Sequence, residues 1–237
     1  MRLECVVRTH VGCRRKINED SLLARSDHGL WAVADGMGGH DAGEVASALL
    51  VDMLAADLEQ APLAARIAAA QSALADANER LVAMAQTSDE PRTIGSTIVL
   101  LAMDAYAFCC LWAGDSRAYL VRRGAIQQLT RDHSLVQQLV DSGDLDREEA
   151  AQHPNANVIT RAVGAAPELA LDQLEGELRS GDVFLLASDG LTRLVSDDEI
   201  LKELKASDLE SAAERLLDTC LKRKAPDNVT FIIVKLG

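Results

Sequence analysis

The amino-acid sequence predicts an α+β fold built on antiparallel sheets, because strand-like and helix-like segments come in blocks and not in strict alternation. Two observations carry this reading. In the first half, two Ala-rich stretches carry apolar residues at helical spacing; in the middle, short apolar and β-branched runs are cut by turn dipeptides.

In chain order, Leu30 to Ala34 reads as a buried strand. Val45, Leu49, Leu50, Met53, Leu54 and Leu58 mark one face of a helix, and Pro62 marks the connection to the next. From Leu63 the apolar positions Ile67, Ala70, Leu74, Ala77, Leu81 and Met84 step alternately by four and three residues, one face of a long helix. Ser96 to Met103, Tyr106 to Ala113, Arg117 to Val121 and Ala125 to Leu129 read as hairpin-linked antiparallel strands, with turns at Asp104-Ala105, Gly114-Asp115 and Arg123-Gly124. Thr130 to Gly164 is polar, with no strand signal and one short helix from Ser134 to Asp141. An insertion this long in a compact domain is more often functional than idle. Strands at Val183 to Ala187 and Val229 to Val234 flank a helix near Leu209 to Leu221.

At 237 residues the chain fits one compact domain, residues 1–237. Its 48% hydrophobic and 26% charged residues exclude disordered and fibrous classes. A formal net charge of −13 and 3% aromatic residues argue against a nucleic-acid groove, which needs basic stripes and stacking rings. Cys5, Cys13, Cys109, Cys110 and Cys220 are odd in number and lack C-x-x-C spacing, so neither a disulfide framework nor a zinc site is expected. Asp104 breaks the best apolar run, Ile98 to Ala113, so no membrane span or leader is expected. A cytoplasmic, monomeric protein is the resulting expectation.

Three apolar strands end in an aspartate: Ala34-Asp35-Gly36, Ala113-Gly114-Asp115 and Ala187-Ser188-Asp189. One Asp-Gly after a strand is usually only a turn; three are harder to dismiss. Asp227 stands at the start of the last strand, and antiparallel packing lays the start of one strand beside the end of its neighbour. Glu19 and Asp20 precede another apolar segment. Carboxylates gathered at 4 Å repel by roughly 4 kcal/mol per pair at an effective dielectric near 20, so they need protons or cations. An all-oxygen set suits Mg2+ or Mn2+ better than zinc. Gly36 would let a backbone carbonyl approach such an ion. The Gly36-Met37-Gly38-Gly39 run lacks the lysine and the spacing of nucleotide-binding loops. Arg14-Arg15-Lys16 is a solvated basic run on its own and an anion clamp beside a metal rim.

These residues match a family. Arg15-x-x-Asn18-Glu19-Asp20, Ala34-Asp35-Gly36-Met37-Gly38-Gly39, Gly95-Ser96-Thr97, Ala113-Gly114-Asp115-Ser116-Arg117, Leu129-Thr130-x-Asp132-His133-Ser134, Ala187-Ser188-Asp189-Gly190 and Asp227-Asn228-Val229-Thr230 together resemble the metal-dependent type 2C serine/threonine protein phosphatases, from about residue 9 to 234. The run from Gly29 to Ser47 most resembles the stand-alone bacterial phosphatases found with type VI secretion kinases.

The resemblance implies a four-layer α-β-β-α sandwich of two antiparallel sheets with a binuclear metal centre at one edge, and a flap over about 130–164. It implies hydrolysis of phosphoserine and phosphothreonine in proteins by water activated at two ions of Mg2+ or Mn2+, reversing a Ser/Thr kinase. By position, Asp35, Asp189 and Asp227 resemble ligands of the first ion, with Asp35 bridging to a second that the Gly36 carbonyl and Glu19 also serve. Asp20 resembles the residue that orients the water, and Arg15 the phosphate-binding arginine. Asp115 with Asp189 matches a third-ion position. Many eukaryotic members carry a histidine where this chain has Met37, which leaves His40 or water as candidate general acid. Position 10 carries His10, where bacterial relatives commonly have an aspartate. Two other readings compete: a pseudophosphatase that binds phosphoproteins without turnover, and a hydrolase of small phosphate esters.

Overall fold

The structure is a computed structural model that describes residues 2–38, 42–56, 61–87, 93–150, 153–206 and 208–237. The strands are β1 (Leu3–His10), β2 (Asp20–Arg25), β3 (Leu30–Met37), β4 (Gly95–Ser96), β5 (Ile98–Met103), β6 (Ala107–Ala113), β7 (Arg117–Arg122), β8 (Ala125–Gln128), β9 (Asp172–Glu177), β10 (Val183–Ala187) and β11 (Val229–Leu236). The helices are α1 (Ala42–Ala56), α2 (Leu63–Gln86), α3 (Leu135–Ser142), α4 (Arg147–Ala150), α5 (Asp189–Thr192), α6 (Asp197–Ala206) and α7 (Leu209–Lys222). Among the described residues, one antiparallel sheet has the order β1-β11-β10-β7-β8, and the other β2-β3-β5-β6-β9 with β4 beside β3.

Alternation along the strands sorts side chains into three apolar layers. Trp31, Val33, Val99, Leu101, Cys110 and Trp112 of the second sheet meet Leu120, Phe184, Leu186, Ile232 and Val234 of the first in the space between the sheets. The neighbouring residues Ala32, Ala34, Leu100 and Leu111 face outward onto α1 and α2 through Leu50, Leu74 and Leu81. On the other side, Tyr119, Leu185, Phe231 and Ile233 face α6 and α7 through Ile200, Ala213 and Leu216. The result is the four-layer α-β-β-α sandwich. Both faces of the central strands are buried, which is why β5, β6, β10 and β11 read as unbroken apolar runs.

Four features depart from the sequence reading. Gly114-Asp115 is not a hairpin turn: β6 and β7 lie in different sheets, and the chain crosses between them there. The strand expected over Ser96 to Met103 is interrupted at Thr97, whose hydroxyl serves Asp35 instead of the ladder. The edge strands β1 and β9 were not expected, because an edge strand with one wet face, such as Asp-Gln-Leu-Glu-Gly-Glu, alternates polar and apolar residues too evenly to stand out. Helix α6 was also missed, although Ser196 and Glu199 form the reciprocal cap that marks its start: the Ser196 backbone N–H donates to Glu199 and the Glu199 N–H to Ser196 Oγ.

Two glycines let separate backbones meet at the end of the sandwich. A Cβ on Gly36 would fall 2.0 Å from the Gly43 carbonyl oxygen, so this glycine lets α1 close onto β3; that contact accounts for it without a metal. A Cβ on Gly190 would fall 1.8 Å from the Asn228 carbonyl oxygen, so only glycine brings the start of α5 against the start of β11. Gly190→Ala is therefore expected to destabilise the fold by about 3 kcal/mol, read as a lower urea midpoint; an unchanged midpoint would show that the two segments separate freely.

Candidate metal centre

Strand register is the first thing that builds the site. Asp20 on β2 pairs directly with Asp35 on β3, which sets two carboxylates abreast on one face. Strand β10 ends at Ala187 and pairs with Phe231 on β11, so Asp189 just beyond β10 and Asp227 just before β11 reach the same edge. Ser188 joins the two sheets: its hydroxyl is 2.9 Å from Asp20 Oδ2, and the backbone N–H of Thr230 donates to the same hydroxyl.

The backbone around Asp35 is held by Ser96 and Thr97. Ser96 Oγ and the Thr97 N–H donate to the Asp35 carbonyl, and the Asp35 N–H donates to Thr97 Oγ1, which contacts Ser116 Oγ at 2.7 Å. Asn228 holds the other side. It accepts from the Glu19 N–H and donates to the carbonyls of Val11 and Ile17, fastening the segment that carries Arg15 and Glu19 to the start of β11. His10 accepts from the Gly12 N–H at 2.9 Å and so shapes the turn after β1.

Two arginines stand among the acids. Arg15 Nη2 lies 2.8 Å from Asp227 Oδ2 and its Nη1 3.4 Å from Glu19 Oε2. Arg193, which sequence reasoning did not select, lies 2.9 Å from Asp189 Oδ2 and 3.1 Å from Asp115 Oδ2. Its signal was the spacing Asp189-x-x-x-Arg193, which places both on one helical face.

Burial pushes the Asp20 carboxyl up to about 6 against the lowering hydrogen bonds of Thr230 and Ser188. Burial, then the charges of Asp20, Asp189, Asp115 and Asp227, raises Asp35 well above the usual carboxylate range. Burial and then Asp115 push Asp189 up to about 7, with Arg193 opposing. Six acids (Glu19, Asp20, Asp35, Asp115, Asp189 and Asp227) against two arginines leave a formal excess of four negative charges, the charge of two divalent cations. As the side chains stand, no three His, Cys, Asp or Glu among the described residues are close enough to share one ion. Asp227 and Asp189 rest on guanidinium groups instead. The donor chemistry nevertheless fits hard divalent ions: all oxygen, half-buried and short of positive charge.

The comparisons decide the lineage. A family model described as Protein phosphatase 2C matches residues 13–229. The chain belongs to the protein phosphatase 2C family. It is 38% identical to the serine/threonine protein phosphatase PstP of Mycobacterium tuberculosis over 98% of its own length, and it spans only 44% of that relative. The solved structure of PppA, a key regulatory component of T6SS in Pseudomonas aeruginosa, is 41% identical with a TM-score of 0.91, covering 100% of this chain and 99% of that one. The catalytic domain of PstP, solved with two manganese ions, is 35% identical with a TM-score of 0.87, covering 99% of each chain.

Within this family the motifs quoted above divide by what they touch. Glu19, Asp20, Asp35, Asp115, Asp189, Asp227 and Arg15 gather at one edge. Asp132, His133 and Thr130 instead stitch the crossing between the sheets: Arg117 grips Asp132 with Nε and Nη2, Gly114 N–H donates to His133 Nδ1, and Ala118 N–H donates to Thr130. His40 lies outside the described residues. The 130–164 segment is tied at its far end, where Val163 exchanges backbone hydrogen bonds with Ser96 and the Gly164 N–H donates to Asn78 of α2. A cavity of about 700 Å³ lies beside it, lined by Asp115, Thr130, Asp132, Asn157, Asp189 and Arg193. Cys109 and Cys110 are buried, and burial pushes the Cys109 thiol up to about 11, so neither is a nucleophile.

The raised carboxyls carry a signed consequence. A carboxyl with a higher pKa in the folded state favours folding only while protonated, so stability falls as pH rises from the unfolded value, 3.8, through about 7 for Asp189. In EDTA, Asp189→Asn is therefore expected to melt above wild type at about pH 8, with the gain shrinking toward about pH 4. A gain independent of pH would show that the aspartate carries no such penalty.

Proposed function

We propose that this chain is a single catalytic domain that hydrolyses phosphoserine and phosphothreonine in proteins, with two ions of Mg2+ or Mn2+ held at the acid cluster. The observation that carries the reading is the four-charge deficit among acids drawn together from both sheets. Asp35, Asp189 and Asp227 would hold the first ion. Asp35, Glu19 and the Gly36 carbonyl would serve the second. Such ions supply activation of the attacking water and neutralisation of phosphoryl oxygens.

The chain's own residues do the rest. Arg15 has its guanidinium at the surface with two carboxylate partners among the described residues, which leaves N–H donors for the oxygens of an incoming phosphate. Asp20, held at Oδ2 by Ser188, would orient the attacking water by accepting a hydrogen bond from it. Ser188 and Thr230 keep Asp20 aimed, so its position does not depend on substrate. The general acid is His40 or water. The 130–164 flap borders the cavity where a phosphoprotein segment would lie.

The name of PstP, a serine/threonine protein phosphatase, supports a protein substrate, from which an opposing Ser/Thr kinase would follow, and the similarity to PppA over the whole chain supports a type VI secretion context. The net charge of −13 supports a soluble monomer, and five unpaired cysteines support the cytoplasm. Among the described residues no helix is long and apolar enough to cross a membrane.

Turnover of a phosphothreonine peptide is expected to vanish in EDTA and return with Mn2+. Asp35→Asn is expected to lose more than about a hundredfold in kcat while staying folded. Metal-independent turnover would sink the reading, and a metal-bound but inactive protein would favour the phosphoprotein-binding module. Arg15→Ala is expected to raise KM by about tenfold, at least as much as it lowers kcat; unchanged constants would return Arg15 to the solvated surface.

A further inference from the structure

Asp115 and Asp189, which the resemblance assigns to a third ion, are bridged in this chain by a side chain. Helix α5 begins at Asp189, and Arg193 follows one turn later, so both point the same way. Arg193 Nε lies 2.9 Å from Asp189 Oδ2, and its Nη2 lies 3.1 Å from Asp115 Oδ2. The same Nη2 is 3.3 Å from the carbonyl oxygen of Ala156 in the flap segment. Asp115 is buried, and its second oxygen, Oδ1, has no hydrogen-bond partner among the described residues. A buried carboxylate stays ionised only where a cation balances it, and among the described residues the guanidinium is the cation in contact with Asp115, through Oδ2.

We infer that Arg193 is the resident cation of the third-ion position: it holds Asp115 and Asp189 together in place of a metal, so the chain takes up two divalent ions and not three. The inference rests on the reading of the acid cluster as a two-metal centre. One oxygen of Asp189 is on Arg193, which leaves the other for that centre. A divalent ion at the same place would be repelled by the guanidinium within a few ångströms. It would also break the contact with Ala156, so the arginine that balances the charge also fastens the flap segment to the centre. Counting charges gives the same answer. With Arg15 and Arg193 in place, two divalent ions neutralise the six carboxylates, and a third has no charge left to balance.

The test is Mn2+ uptake by equilibrium dialysis, counted per folded chain, on the wild type and three variants. Wild type and Arg193→Lys, which keeps the charge, are expected to saturate at two ions. Arg193→Gln, which keeps length and hydrogen-bonding capacity but loses the charge, is expected to take up a third. Arg193→Gln combined with Asp115→Asn is expected to return to two, which ties the extra ion to Asp115. Three ions on the wild type, or two on Arg193→Gln, would overturn the role of Arg193. Fewer than two on the wild type would overturn the two-metal reading itself.

Discussion

Like charges that are partly buried together repel, and the architecture at one end of this sandwich is organised around that repulsion. Asp20 and Asp35 are locked side by side by strand register, so they cannot relax apart without breaking the β2–β3 ladder. Asp189 and Asp227 are brought in from the other sheet by the β10–β11 pairing. Each backbone segment that carries an acid is tied to a neighbouring segment by a side chain: Asp35 by Ser96 and Thr97, Glu19 by Asn228, Asp20 by Ser188. Rigid backbones and crowded acids together store an electrostatic strain that only protons or cations relieve. Under the proposed function, that strain would give the site its affinity for metal, although no preformed cage of ligands stands among the described residues.

The sandwich makes such crowding tolerable. Its three apolar layers stabilise the fold independently of the edge, and the largest fully buried side chains, including Trp31, Tyr119, Phe184 and Phe231, lie within those layers. Gly36 and Gly190 then supply the close approaches that bring α1 and α5 onto the strands. A strained functional edge on a well-packed scaffold is the usual division of labour in enzymes.

Much of this was legible in the sequence, and the reason differs from residue to residue. The central strands β3, β5, β6, β10 and β11 were visible because burial on both faces leaves no polar interruption, and α2 because its apolar stepping runs for six turns. Asp35, Asp115, Asp189 and Asp227 were visible because each marks the end or start of such a strand. The edge strands β1 and β9 were hidden because one wet face erases the contrast on which periodicity depends. The crossing at Gly114 was read as a hairpin because a turn dipeptide does not say whether the next strand rejoins the same sheet; that is decided by the Arg117–Asp132 and Gly114–His133 contacts, which are made with residues 15 to 19 positions away. Asn228 and Ser188 were seen as parts of motifs, but their work is to join segments some 170 to 210 residues apart, and no local pattern encodes that. Arg193 was missed because a lone arginine after a helical turn is ordinary until its two partners are placed in space.

The two arginines of the site differ in the burial of the carboxylates they hold, the property that would separate a substrate ligand from a structural cation. Arg15 is 48% exposed, and its contacts are one short ion pair with a half-buried Asp227 and one long one with Glu19. An exposed pair of that kind contributes little net stability, so a phosphate dianion competes with it on favourable terms. Arg193 is 35% exposed and has three partners among the described residues, one of them a nearly buried Asp115 that no other cation of those residues contacts. Removing that guanidinium would leave a buried charge uncompensated, which is much costlier than losing a surface pair. Under the proposed function, the same charge on the same residue type would therefore be available to substrate on one side of the centre and committed to the protein on the other. The deciding variable is the burial of the partner carboxylate.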